Sequence, residues 1–520
     1  MFDILICGAL IVDGSGSEGY IGDVGVEGGK ISAVGRLGGA AAVEVIEAEG
    51  RCLTPGFIDI HRHADAALFR HDWGRAELAQ GLTTIINGNC GLSLAPVCGA
   101  HAVEIQRYLS PIVGELPEGR EFPSMASYLA QAREAAPPVN TFMLAGMGTI
   151  RACAAGFSDL PLTAEQYARV HRLLEESLAG GAIGVSLGLG YAPECFYDTE
   201  GLIRALEPLR GSSTVVTVHM RQEGDGVVDA LRVMLAVARE LRMPLEISHL
   251  KAIGRRNWRK SVPEMLRLID EARQDGLDIM CDVYPFPAGS TQLIHVLPPE
   301  YQAGGTEALT AALLDPLTRE RMRERMETGS DFENISLLVG FENIRATSLH
   351  RPENLEFEGR SIAEIAASKG SSDFDALFDL LASEHCAVSM IDFIADEEDI
   401  CDILRAPFSG VISDATYPAS GLLHPRVYGT YPRLFERYVL GKGVLSLPEA
   451  VRKVTRQPAD RFGLRTKGRI EPGADADLCL FDPSALRERD SYEHPETLAT
   501  GMDYVLVGGR PAIAEARFTF

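Results

Sequence analysis

Short apolar runs alternate with amphipathic stretches through most of this chain. The runs at 57–60, 83–86, 141–144, 183–187, 215–218, 245–248, 278–283 and 410–413 are nearly continuous in apolar and small residues. That is the pattern of strands covered on both faces, as parallel strands are. Between them, segments such as 164–178 and 227–241 carry apolar residues at helical spacing. Strand and helix alternating over this length predict an α/β chain folded as a (β/α)8 TIM-like barrel, with its chemistry at the carboxyl ends of the strands. The two chain ends read differently. Residues 1–54 and 465–520 show short strands punctuated by glycine pairs (Gly28-Gly29, Gly508-Gly509) and no helical period. They predict one small β-sandwich built from both ends, flanking a barrel over 55–464. Two further strand-like runs, 335–339 and 387–391, exceed the barrel's count. An ordinary strand–helix connection is about 2–6 residues, so about 295–351 is predicted as an inserted lid before the last barrel strand.

Composition narrows the function classes. The 520 residues are 46% hydrophobic, enough for a large core, and carry a net charge of -24. Such an acidic chain lacks the Lys/Arg surface that neutralises phosphates, so nucleic acid is not an expected partner. A local basic pocket for a small anion stays compatible with it. No apolar run reaches the roughly 18 residues that mark a membrane span, and the first residues lack the basic start of a signal peptide. Ten scattered cysteines fit reduced thiols and a cytoplasmic location better than a disulfide framework.

Candidate chemistry sits where the strand-like runs end. His61-Arg62-His63 closes the first run, and residues i and i+2 of a strand share a face, so two imidazoles are offered to one point. Cys90 follows the second run in Gly88-Asn89-Cys90-Gly91 and could bridge two metal ions as a thiolate. His219 and His249 end the fifth and sixth runs, and Asp414 ends the last. Alone, Cys90, His219 and His249 each read more readily as ordinary buried or surface residues, and Asp414 as a cap or turn residue. Together they form a set of N, S and O donors recurring at one end of successive strands.

On these motifs the chain resembles the amidohydrolase superfamily, and within it the N-acyl-D-amino-acid deacylase (D-aminoacylase) family. The resemblance runs through Thr54-Pro55-Gly56-Phe57-Ile58-Asp59-Ile60-His61, Gly88-Asn89-Cys90-Gly91, His219-Met220-Arg221, Ser248-His249-Leu250-Lys251, Asp282-Val283-Tyr284-Pro285, His424-Pro425-Arg426 and the tail Pro472-Gly473-Ala474-Asp475-Ala476-Asp477-Leu478. It implies zinc, one or two ions. Cys90, His219 and His249 would hold the tighter ion, with His61, His63 and Asp414 around a second, weaker position. Lys251, Tyr191, Tyr284, Ser290 and Arg426 match positions that touch the substrate. The implied reaction is hydrolysis of a linear amide in a small N-acyl-D-amino acid, with Asp414 as general base and then acid. The preference for the D form rests on the resemblance alone. Two departures, Met147 in Gly146-Met147-Gly148 and Ala415 after Asp414, suggest a reshaped pocket. A cyclic-amide hydrolase of the hydantoinase or dihydroorotase kind, or a catalytically inactive barrel scaffold, remain alternatives at this level. The acyl group, the amino-acid side chain and the oligomeric state are not legible.

Overall fold

A computed structural model describes residues 1–520. The amino-terminal strands are β1 (Phe2–Ile11), β2 (Tyr20–Glu27), β3 (Lys30–Gly35), β4 (Ala42–Glu47) and β5 (Cys52–Pro55). They join β18 (Leu478–Phe481), β19 (Met502–Val507), β20 (Arg510–Ala514) and β21 (Arg517–Phe518) in one nine-stranded sheet, in which β5 pairs antiparallel with β18. The expected sandwich is therefore a single hydrogen-bonded sheet that curls on itself. Its two far turns touch: a Cβ on Gly29 would lie 2.9 Å from the Gly508 carbonyl oxygen. Ile4, Ile6, Val24, Leu478 and Leu506 pack together inside the curl.

The barrel strands are β6 (Phe57–Asp59), β7 (Leu82–Asn87), β8 (Asn140–Met143), β9 (Ala145–Gly146), β10 (Val185–Gly188), β11 (Val216–His219), β12 (Leu245–Ile247), β13 (Ile279–Val283) and β17 (Ser409–Val411). All pair in parallel. β8 and β9 are one strand broken at Leu144, so each of the eight apolar runs supplies one strand of the ring. Beyond β17 the Asp414 N–H donates to the His61 carbonyl and the His63 N–H to the Ala415 carbonyl, each at 2.9 Å, joining the last strand to the first. The intervening helices form where periodicity and caps agree. Ala164–Ala179 starts at a Thr163/Gln166 capping box, and Val227–Leu241 buries its apolar stripe of Leu231, Met234, Leu235 and Ala238.

The chain leaves the barrel after Val283 and rejoins it at Ser409, a longer excursion than the expected 295–351. Within it, β14 (Ala288–Gln292), β15 (Ile344–Thr347) and β16 (Ser389–Phe393) form an antiparallel three-stranded sheet in the order β14-β16-β15. The run at 335–339 is a helix, not a strand. Asn334 caps it by accepting from the Leu337 N–H, and Gly340 at φ 83° ends it. Short apolar runs do not distinguish the two states by periodicity, and here the caps decide.

Candidate metal centre

His61 and His63 follow β6, Cys90 follows β7, His219 closes β11, His249 follows β12 and Asp414 follows β17, all at the carboxyl ends of the strands. Cys90, His249 and Asp414 adopt φ of 54°, 39° and 53°. Non-glycine residues seldom occupy this left-handed region, and they cluster in it at functional sites. The Cys90 turn needs its glycines. A Cβ on Gly91 would fall 1.8 Å from Glu194 Oε2, and one on Gly188 2.0 Å from the Cys90 carbonyl oxygen.

The donor atoms of His61, Cys90, His249 and Asp414 converge, with His219 beside His249 and His63 beside Asp414. His61 Nε2 lies 3.2 Å from Cys90 Sγ and 3.3 Å from Asp414 Oδ1, and His63 Nε2 is also 3.3 Å from Asp414 Oδ1. Cys90 Sγ is 3.5 Å from His249 Nε2, which is 3.2 Å from His219 Nδ1. Ligand atoms about 2.0–2.3 Å from a tetrahedral zinc stand about 3.3–3.8 Å apart, so separations of 3.2–3.5 Å are close to those an ion among them requires. The donor chemistry fits as well. Thiolate and imidazole suit zinc, whereas calcium and magnesium take oxygen ligands. Burial, reinforced by Asp414 and Glu223, pushes the Cys90 thiol well above its ordinary range. A cation among these groups reverses that balance and holds the thiolate. Burial also raises the Asp414 carboxyl, but Arg426 and His61 outweigh it and hold the group well below the usual carboxylate range.

Two supporting layers were missed from sequence. Glu223 is buried. Its Oε1 stands 3.0 Å from His249 Nδ1 and 2.7 Å from Lys251 Nζ, and its Oε2 is 3.9 Å from His219 Nε2. A carboxylate accepting from Nδ1 orients the ring and leaves Nε2 free to ligate. The only sequence signal for it was a carboxylate four residues after His219. Beneath the site, Arg62 alternates away from His61 and His63. It donates to Glu77 Oε1 at 2.7 Å and Asp59 Oδ2 at 3.2 Å, and it also contacts Tyr417. Asp59 Oδ1 accepts from the N–H groups of His61 and Ser413, each at 3.2 Å, so the first and last strands share one buried anchor.

The expected substrate residues all line a single cleft, together with His219, His249 and Asp414. Arg426 Nη1 lies 2.9 Å from Asp414 Oδ2, and its Nη2 donates to the Ser290 carbonyl at 2.9 Å. The Tyr284 ring faces Arg426, with 4.9 Å from Cζ to the ring centroid. The Tyr191 ring stacks on His219 at 4.2 Å. Met147 and Ala415 are wholly buried and do not line the cleft, so neither reshapes it directly as the sequence suggested. Met147 opens a helix packed under the Cys90 turn, where the Thr149 N–H donates to the Gly91 carbonyl at 3.0 Å.

A parallel barrel that gathers imidazoles, a thiol and a carboxylate at its strand ends defines a metal-dependent hydrolase. The Amidohydro_3 model of the amidohydrolase family matches residues 44–293 and 412–513, omitting most of the excursion between β13 and β17. D-aminoacylase of Alcaligenes xylosoxydans xylosoxydans is 34% identical over 100% of this chain and 96% of its own length. N-acyl-D-aspartate deacylase of the same organism is 31% identical over 98% and 91%. The crystal structure of N-acyl-D-glutamate deacylase from Bordetella bronchiseptica, complexed with zinc and a phosphonate inhibitor, superposes with a TM-score of 0.83 at 30% identity, covering 99% of this chain and 98% of that one. The chain belongs to the amidohydrolase family, in its N-acyl-D-amino-acid deacylase (D-aminoacylase) branch.

Proposed function

We propose that the protein hydrolyses the amide bond of N-acyl-D-amino acids, releasing a carboxylate and a free D-amino acid. The observation that carries this reading is Asp414, placed within 3.3 Å of His61 and His63 and 2.9 Å from Arg426, at the junction of donor cluster and cleft. Cys90, His219 and His249 would hold the tighter zinc position. His61, His63 and Asp414 would hold a second, weaker one. When bound, zinc supplies Lewis acidity, lowering the pKa of a coordinated water to about 7 and polarising the amide carbonyl. The protein's own groups do the rest. Asp414, held ionised by Arg426, takes the proton from the attacking water and returns it to the leaving nitrogen. Glu223 fixes His249 and Lys251. Lys251 and Arg426 receive the α-carboxylate, and Arg426 Nε, which makes no hydrogen bond in the structure, is available for it. Tyr191, Tyr284 and Ser290 shape the wall against which the substrate lies. All ten cysteines are free and no helix is long and apolar enough to cross a membrane. Free thiols support a reducing, cytoplasmic setting.

The test is amine release by the zinc-loaded protein from matched N-acetyl-D- and N-acetyl-L-amino acids, with a hydantoin alongside. We expect turnover of linear D substrates. Ring opening of the hydantoin without it, or no turnover of any substrate, would overturn the reading. Arg426→Ala should raise KM about tenfold or more, as loss of a charge-assisted pair implies, with zinc content retained. Unchanged kinetics would remove Arg426 from substrate binding.

A further inference from the structure

The cleft contains more charge than the reaction uses. Its cations are all engaged. Arg221 donates to the carbonyls of Cys195 and Tyr197 at 2.5 and 2.6 Å, Lys251 is held by Glu223, and Arg426 by Asp414. Two of its carboxyl groups are not. Asp392, on β16, is 3% exposed, lines the cleft and has no ion-pair partner. Glu333, also on the wall, accepts from the backbone N–H groups of Glu223 and Gly224 through Oε2, and its Oε1 meets no cation. The space before Asp392 is kept open by Gly289, its partner in the β14–β16 register. A Cβ there would lie 3.0 Å from Asp392 Oδ1 and 2.8 Å from Ile394.

A buried carboxylate without an ion-pair partner is costly. Burial raises Asp392 to about 6 against the pull of Lys251 and Arg426, and Glu333 to about 7. A cationic group entering the cleft would relieve both. An acidic substrate side chain would meet these two carboxylates and find no uncommitted cation once Lys251 and Arg426 hold the α-carboxylate.

We infer that this cleft is built for N-acyl-D-amino acids with a cationic side chain, the lysine and arginine class, whose charge is received by Asp392 and Glu333. The inference rests on the deacylase reading above and adds the substrate class. It sets this chain apart from relatives named for D-aspartate and D-glutamate substrates.

The experiment measures kcat/KM of the zinc-loaded protein for N-acetyl-D-arginine, N-acetyl-D-lysine, N-acetyl-D-leucine and N-acetyl-D-glutamate, and repeats it with Asp392→Asn, Asp392→Glu and Glu333→Gln. The basic substrates should exceed leucine and glutamate by about tenfold or more, the scale of a charge-assisted hydrogen bond. Asp392→Asn should collapse the arginine-to-leucine ratio, Glu333→Gln should lower it, and Asp392→Glu should keep most of it. A preference for leucine or glutamate, or a ratio unmoved by Asp392→Asn, would overturn the inference and leave the deacylase reading standing. A binding arm separates the two. Calorimetric titration of Asp414→Asn protein should show N-acetyl-D-arginine binding more tightly than N-acetyl-D-glutamate. If nothing is hydrolysed but this order holds, the deacylase reading fails and the cation subsite survives. The reverse order refutes the subsite.

Discussion

Cys90→Ala protein should carry markedly less zinc than the unaltered protein and lose most of its turnover. Its sulfur stands 3.2 Å from His61 Nε2 and 3.5 Å from His249 Nε2, so one side chain serves both halves of the donor cluster. Removing even an outer-layer partner of a metal ligand costs about 10–100-fold in metal affinity, and removing a shared thiolate should cost more. A small buried methyl in its place offers no lone pair, and the four imidazoles would be left to hold a cation without the anionic ligand between them. Elemental analysis of purified protein, with amine release measured on the same samples, decides the matter. Undiminished zinc in the alanine variant would refute the ligand assignment.

Asp414→Asn should separate binding from chemistry. Asparagine is isosteric, and it tolerates the left-handed backbone that Asp414 occupies at φ 53°, so the local fold should persist. The amide cannot accept the proton of the attacking water. Loss of a positioned general base costs about 10²–10⁴ in rate, and turnover should fall by that factor while zinc is largely retained through Cys90, His219 and His249. Full activity in this variant would remove Asp414 as the base.

The barrel strands were legible because each is covered on both faces, which writes a continuous apolar run into the chain. The candidate ligands were legible because they recur at the ends of those runs. The helix at 335–339 was not, since five apolar residues look alike in either state until Asn334 and Gly340 are seen capping it. The full excursion was not legible either. Its sheet pairs Ala288 with Phe393, a contact between residues far apart in the chain that no local pattern announces. The roles of Glu223, Asp59 and Arg62 escaped notice for a related reason. Their importance lies in partners, and an isolated Glu or Arg looks like a solvated surface residue.

Order along the chain determined which residue types stand at the end of each strand, because strand periodicity and turn glycines act over only a few neighbours. What the donors face was decided by closing the ring. The backbone bonds between Asp414 and His61 bring residues more than three hundred positions apart into contact, and parallel pairing puts every candidate ligand at the same end of the barrel. The same packing buried Asp392 and half-buried Glu333 beside the cleft, with neither in an ion pair. A charge's cost and purpose depend on its surroundings, and those exist only once the tertiary structure has formed.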